Sequence, residues 1–77
     1  MALKRPIQDM PADVRRALDE RGLLDAYHAR PPYQRNDYLG WIARAKRDET
    51  REHRLAQMLD ELAGGDRYMR MRWRAGR

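Results

Sequence analysis

DETREHRLAQMLDELAGG, residues 48–65, decides how this chain folds. Leu55, Met58, Leu59, Leu62 and Ala63 recur at i, i+3, i+4, i+7 and i+8, a single apolar stripe along about four helical turns. Asp48 and Glu49 open the segment with negative charge, where the helix dipole is positive, and Gly64-Gly65 end it. Arg51 and Arg54 fall on or beside the first turn of the stripe, so their stems can cover apolar surface while the guanidinium reaches an acid or water. A one-sided helix of this length must be buried against another element.

Upstream, three shorter segments supply those elements. Pro11 suits a first helical turn, Asp13 follows, and Val14, Ala17 and Leu18 repeat the helical spacing until Gly22, which predicts a helix over about 11–21. Leu23, Leu24 and Tyr27 make a second stretch of at most two turns, which must end before Pro31-Pro32. Tyr38, Trp41, Ile42 and Ala45 predict a third helix from about Gln34, with Gly40 inside it as a position where another helix approaches closely. Connections this short turn neighbouring helices back on one another.

After Gly65 the period changes from helical to two. Met69, Met71 and Trp73 alternate with Arg70, Arg72 and Arg74, a pattern that fits an extended strand. A lone strand leaves four arrangements open: a frayed end, a segment laid along the bundle, pairing with Leu3 to Ile7, or waiting for a partner. The expected fold is therefore all-α, a compact bundle of three to four short helices. It divides into a flexible arm over 1–9, a helical domain over 10–65 and an extended or disordered basic tail over 66–77.

Charge and composition narrow the function classes. Of the 77 residues 38% are charged and 42% apolar, with no Phe and no Cys, so the core rests on Leu, Ile, Met, Ala, Tyr and Trp and no disulfide or thiolate zinc is available. The net charge of +5 is unevenly placed, because residues 1–65 hold 12 basic and 11 acidic side chains whereas the last twelve hold five arginines against Asp66. A basic tail is weaker evidence for nucleic acid than a basic stripe across a folded face. With no leader-like apolar run and no membrane-length span, the expectation is a cytoplasmic protein.

The candidate chemical groups are few. His28 and His53 alone do not make a metal site, Ser is absent, and Thr50 is the single Thr without a visible base, so neither metal, cofactor nor catalysis is expected. Trp41 with Tyr38 and Tyr27 reads as a shared core more readily than as a ligand platform, since the spacing is helical. Lys46, Arg51 and Arg54 sit among Asp48, Glu49 and Glu52, which favours ion pairs bridging the third and fourth helices over an anion site. Arg67, Arg70, Arg72, Trp73 and Arg74 form the other candidate, able to stack on bases and contact phosphates.

The stretch WIARAKRDETREHRLAQMLDELAGG (41–65), with MPADVRRAL (10–18) and PPYQRNDYL (31–39), resembles the bacteriocin-protection, YdeI or OmpD-associated family. That family's helical module reads approximately P-x-D/E-L-x-x-A-L, P-P-S-x-R-x-x-Y-x-x-W-I and A-K-x-x-E-T-R-x-x-R-I before a Leu-rich helix ending in Gly. Trp41, Lys46, Thr50, Arg51 and Arg54 fall on motif positions. Tyr33 stands where the module has Ser, a natural N-cap, so the third helix should start less sharply or be capped by Asn36 or Asp37. Leu55 replaces Ile. Many members also look joined to a β-rich domain, for which this chain is too short. The resemblance implies an all-α bacterial module and little chemistry. The expected function is a non-catalytic interaction module of a stress- or resistance-associated protein, a monomer or weak dimer holding an unidentified protein partner. The alternative is weak, sequence-tolerant nucleic-acid binding through the tail.

Overall fold

In the computed structural model, which describes residues 8–73, four helices pack together and a short hairpin closes one side: α1 (Ala12–Glu20), α2 (Leu24–Ala29), α3 (Pro32–Ala43), α4 (Asp48–Gly64), then β1 (Arg67–Tyr68) and β2 (Met71–Arg72). The all-α expectation holds for the body of the chain.

The helix ends follow local chemistry. Gly22, at φ +66°, stops α1, with the Gly22 N–H donating to the Asp19 carbonyl and the Leu23 N–H to the Leu18 carbonyl at 2.8 Å. That doubly bonded ending satisfies two orphan carbonyls. Gly65, at φ +82°, ends α4 with a single bond, its N–H reaching the Glu61 carbonyl at 2.9 Å.

The third helix corrects the sequence reading. It begins at Pro32, about two residues before the expected Gln34, and neither Asn36 nor Asp37 caps it. Pro32 needs no partner for its missing N–H and its ring presets helical φ, so the Pro31 carbonyl takes the first bonds, from the Gln34 and Arg35 N–H groups. Asn36 is instead buried, and its Oδ1 accepts the Gln8 N–H at 2.6 Å. Gly40 also differs from expectation: a Cβ there would meet the Gln8 and Arg44 side chains, so the close neighbour is the segment entering α1 and not another helix.

The core joins Val14 and Leu18 of α1, Tyr27 of α2, Tyr38, Leu39 and Ile42 of α3, and Met58, Leu59 and Leu62 of α4. Trp41, Leu55, Tyr68 and Met69 are half-buried against it. α3 is the central helix, buried at Gln34, Asn36, Tyr38, Leu39, Gly40 and Ile42, so its sequence lacks a clean polar face. On α4 the stripe is rotated at its end: Ala63 is exposed and Glu61 is buried in its place.

Residues 67–72 are not one strand. Arg67 pairs with Arg72 and Tyr68 with Met71 across a two-residue turn, Met69-Arg70, where both residues have positive φ, +50° and +68°. Such turns match strand twist but ordinarily use Asn-Gly, because a Cβ crowds the left-handed conformation. The Trp73 N–H donates to the Asp66 carbonyl and extends the ladder. No helix among the described residues is long and apolar enough to cross a membrane.

Candidate functional site

Glu61 explains why an unfavourable turn persists. Its carboxylate, buried on α4, accepts the backbone N–H of Met69 at 2.9 Å on Oε1 and of Arg70 at 2.7 Å on Oε2. The Tyr38 hydroxyl donates to the same Oε1, and the Gln57 side-chain amide to Oε2. A carboxylate with four donors offsets its desolvation, and the charge strengthens each bond. Burial first, then the Glu61 bond and charge, push the Tyr38 phenol far above the usual tyrosine range, so it stays a donor.

Arg30 lies on the other side of this network, buried at the end of α2. Its guanidinium donates to the Gln34 Oε1 at 3.1 Å and the Glu61 main-chain carbonyl at 3.0 Å, and stacks on the Trp73 ring with its Cζ 4.3 Å from the centroid. Tyr68 makes edge contacts with Tyr33 and Tyr38, and its hydroxyl donates to Asp37. No buried side-chain polar atom among the described residues lacks a partner. The network is therefore a bolt between α2, α3, α4 and the hairpin, with a partner for each of its buried side-chain polar atoms.

The candidate residues separate into different roles. Trp41 is half-buried at the end of α3, with the Arg54 guanidinium over its ring at 5.3 Å and Arg54 Nη1 donating to its carbonyl at 2.7 Å. Arg54 thus caps α3 from α4 through a main-chain carbonyl, and not through the ion pair that the sequence predicts between those two helices. Arg51 does something else: it grips both carboxylate oxygens of Asp13, linking α4 to α1 and not to α3. This bond holds the Asp13 carboxyl below its ordinary value and raises Arg51. Lys46 is exposed, and Thr50 is half-buried on the first turn of α4. Of these motif residues, Arg51 and Arg54 tie α4 to α1 and α3.

In the basic tail, Arg67 and Arg72 are exposed and face each other across the ladder, while Arg70 is exposed and donates through Nε to Gln57 at 3.1 Å. Trp73 is already stacked on Arg30. Arg74 lies outside the described residues. Sequence reading missed Arg30, Gln34, Tyr38 and Glu61 as a set; Glu61 stands one position from the apolar stripe, the only hint that it turns inward.

A concavity of about 500 Å³ lies beside this network, lined by Gln57, Glu61, Arg67 and Arg70, and a smaller one with more apolar lining lies elsewhere. An open cleft of about 380 Å³ between α1, α2 and α3 has Tyr27, Leu39 and Met10 in its floor and Arg15, His28 and Arg35 among its lining. Burial pushes the Tyr27 phenol above its ordinary value, opposed by the charge of nearby Arg35. No group of His, Asp or Glu among the described residues is arranged to hold a metal ion.

No curated relative and no solved structure matches the chain. A family model does, over residues 9–65, well over half its length. By that match the chain belongs to the OmdA family, described as Bacteriocin-protection, YdeI or OmpD-Associated.

Proposed function

We propose that this chain is a non-catalytic interaction module of a bacterial stress- or resistance-associated protein, holding a protein partner in the cleft between α1, α2 and α3. The observation that carries this reading is the contrast between the two polar regions. The buried network around Glu61 is saturated by its own hydrogen bonds, whereas the open cleft presents an apolar floor with cations around it. An open, apolar-floored surface with a few polar groups suits recognition, while converging, unsatisfied acids and bases would suit a reaction. The family description, with its bacteriocin protection and OmpD association, agrees with a role in assembly or protection.

A photoreactive side chain placed at His28, beside the cleft, tests it in bacterial cells. The expected product is a discrete protein adduct from position 28 and none from Ala63, exposed on α4. Adducts that are absent, or identical from both positions, refute the reading. The nucleic-acid alternative keeps the exposed Arg67, Arg70 and Arg72 as its support. It predicts single-strand binding that weakens with salt by about 0.7 logarithmic slope units per phosphate neutralised and disappears when these three arginines are replaced by Gln.

A further inference from the structure

We infer that the cleft between α1, α2 and α3 receives an acidic peptide segment, with a carboxylate held by Arg15 and Arg35 and a neighbouring apolar side chain laid on Tyr27 and Leu39. The inference rests on the interaction-module reading and names the chemistry of the partner.

Three observations carry it. First, among the described residues the cleft is lined by Arg15, Arg35 and His28 and by no carboxylate, although residues 1–65 hold almost as many acids as bases. Among the described residues Arg51 pairs with Asp13, Arg21 with Asp60 and Arg47 with Glu49. Neither Arg15 nor Arg35 pairs with an acid among the described residues. Two guanidiniums beside one acid-free cleft make a local positive field that a planar, bidentate anion satisfies best.

Second, the floor is apolar and fixed. Tyr27 and Leu39 are 4% and 5% exposed and belong to the core, so an apolar side chain entering the cleft meets a surface already in place. A free inorganic anion would gain nothing from that floor, whereas a peptide carrying an acid beside an aliphatic residue uses both parts. Third, the cleft volume of about 380 Å³ matches a few side chains and not a folded domain face. A nucleic acid would need a run of cations to follow its phosphates, and the balance of +1 over residues 1–65 offers no such stripe.

The test uses the full-length chain and a labelled hexapeptide of alternating leucine and glutamate, followed by fluorescence anisotropy. Binding is expected, weaker by roughly tenfold when the glutamates are replaced by glutamine, and weaker again between about 50 and 300 mM salt. The double variant R15Q/R35Q should weaken binding by roughly tenfold with its melting temperature unchanged, because neither side chain holds a structural ion pair. Arg16→Gln, exposed on α1 but outside the cleft lining, should leave binding as it was. No binding at about millimolar peptide, equal binding of the glutamine peptide, or equal loss with Arg16→Gln overturns the inference. So does a dimer that R15Q/R35Q abolishes, which gives the cleft to a second copy, or a single-stranded oligonucleotide that displaces the peptide. A peptide failure beside a specific adduct at position 28 removes only the acidic chemistry; loss of both removes the module reading as well.

Discussion

Replacing Glu61 with Ala should release the hairpin and destabilise the whole chain, because this one carboxylate ties four donors together. The Tyr38 hydroxyl, fully buried, would lose its acceptor, at about 1–3 kcal/mol for an orphaned buried donor. The N–H groups of Met69 and Arg70 would either be orphaned beneath the turn or lift into water, and lifting forfeits the packing of Tyr68, Met69 and Trp73. Either route adds a similar amount, so the expected loss is about 3 kcal/mol. A chain of this length has roughly 4–12 kcal/mol of stability in all, and each kcal/mol moves the melting temperature by about 4–8 °C, so a fall of roughly 12–24 °C should follow. Urea unfolding by circular dichroism measures the loss, and amide exchange at Met69 and Arg70 locates it. Glu61→Gln, which keeps one acceptor oxygen but turns an amide group towards donors, should lose about half as much. If Glu61→Ala costs less than about 1 kcal/mol and both amides stay protected, the carboxylate does not hold the hairpin.

The other perturbations probe the seam, the turn and the ladder. The Asp13 carboxyl is depressed by Arg51, so its stabilisation is present above the ordinary aspartate value of 3.8 and is lost as the pH falls through the lower folded value. Asp13→Asn should therefore lower the melting temperature slightly at neutral pH, by the roughly 0.2–1 kcal/mol of an exposed pair, and match the parent chain near about pH 2. Arg54→Ala removes the cap on the Trp41 carbonyl and the contact with its ring, an expected loss of about 1–2 kcal/mol with a shift in tryptophan fluorescence. Arg70→Asn should stabilise the hairpin by a few tenths of a kcal/mol, since Arg70 is exposed and Asn tolerates the left-handed backbone that it is held in, and exchange protection at Met69 should rise. Arg72→Glu, facing Arg67, should stabilise the ladder by roughly 0.2–1 kcal/mol, visible as a higher melting temperature that salt diminishes.

Each of these sites illustrates what local sequence carries and what it does not. The α4 stripe, the Gly22 and Gly65 stops and the pairing of Val14 with Leu18 are short-range patterns, written in spacing and in the one residue type that tolerates positive φ. They predicted three to four helices and most of the residues that meet in the core. Helix three began at Pro32 because two prolines satisfy a helix start without a side-chain cap, a local effect that the Ser-to-Tyr33 comparison obscured.

The polar partnership of Arg30, Gln34, Tyr38 and Glu61 was beyond such reading, because a polar group is solvated or buried according to what lies opposite it, and here the neighbours are up to 31 positions away along the chain. The period-two tail pointed to extended backbone, but its reversal at Met69-Arg70 follows no turn chemistry of its own; a carboxylate on another element imposes it. Arg51 likewise reached α1, where Asp13 is in hydrogen-bonding contact with it although it stands 38 positions away along the chain. Hydrophobic periodicity is set within a few turns and so was determined by the sequence alone. Which polar groups are withdrawn from water, and whether Arg15 and Arg35 share one acid-free cleft, was decided only when the helices packed.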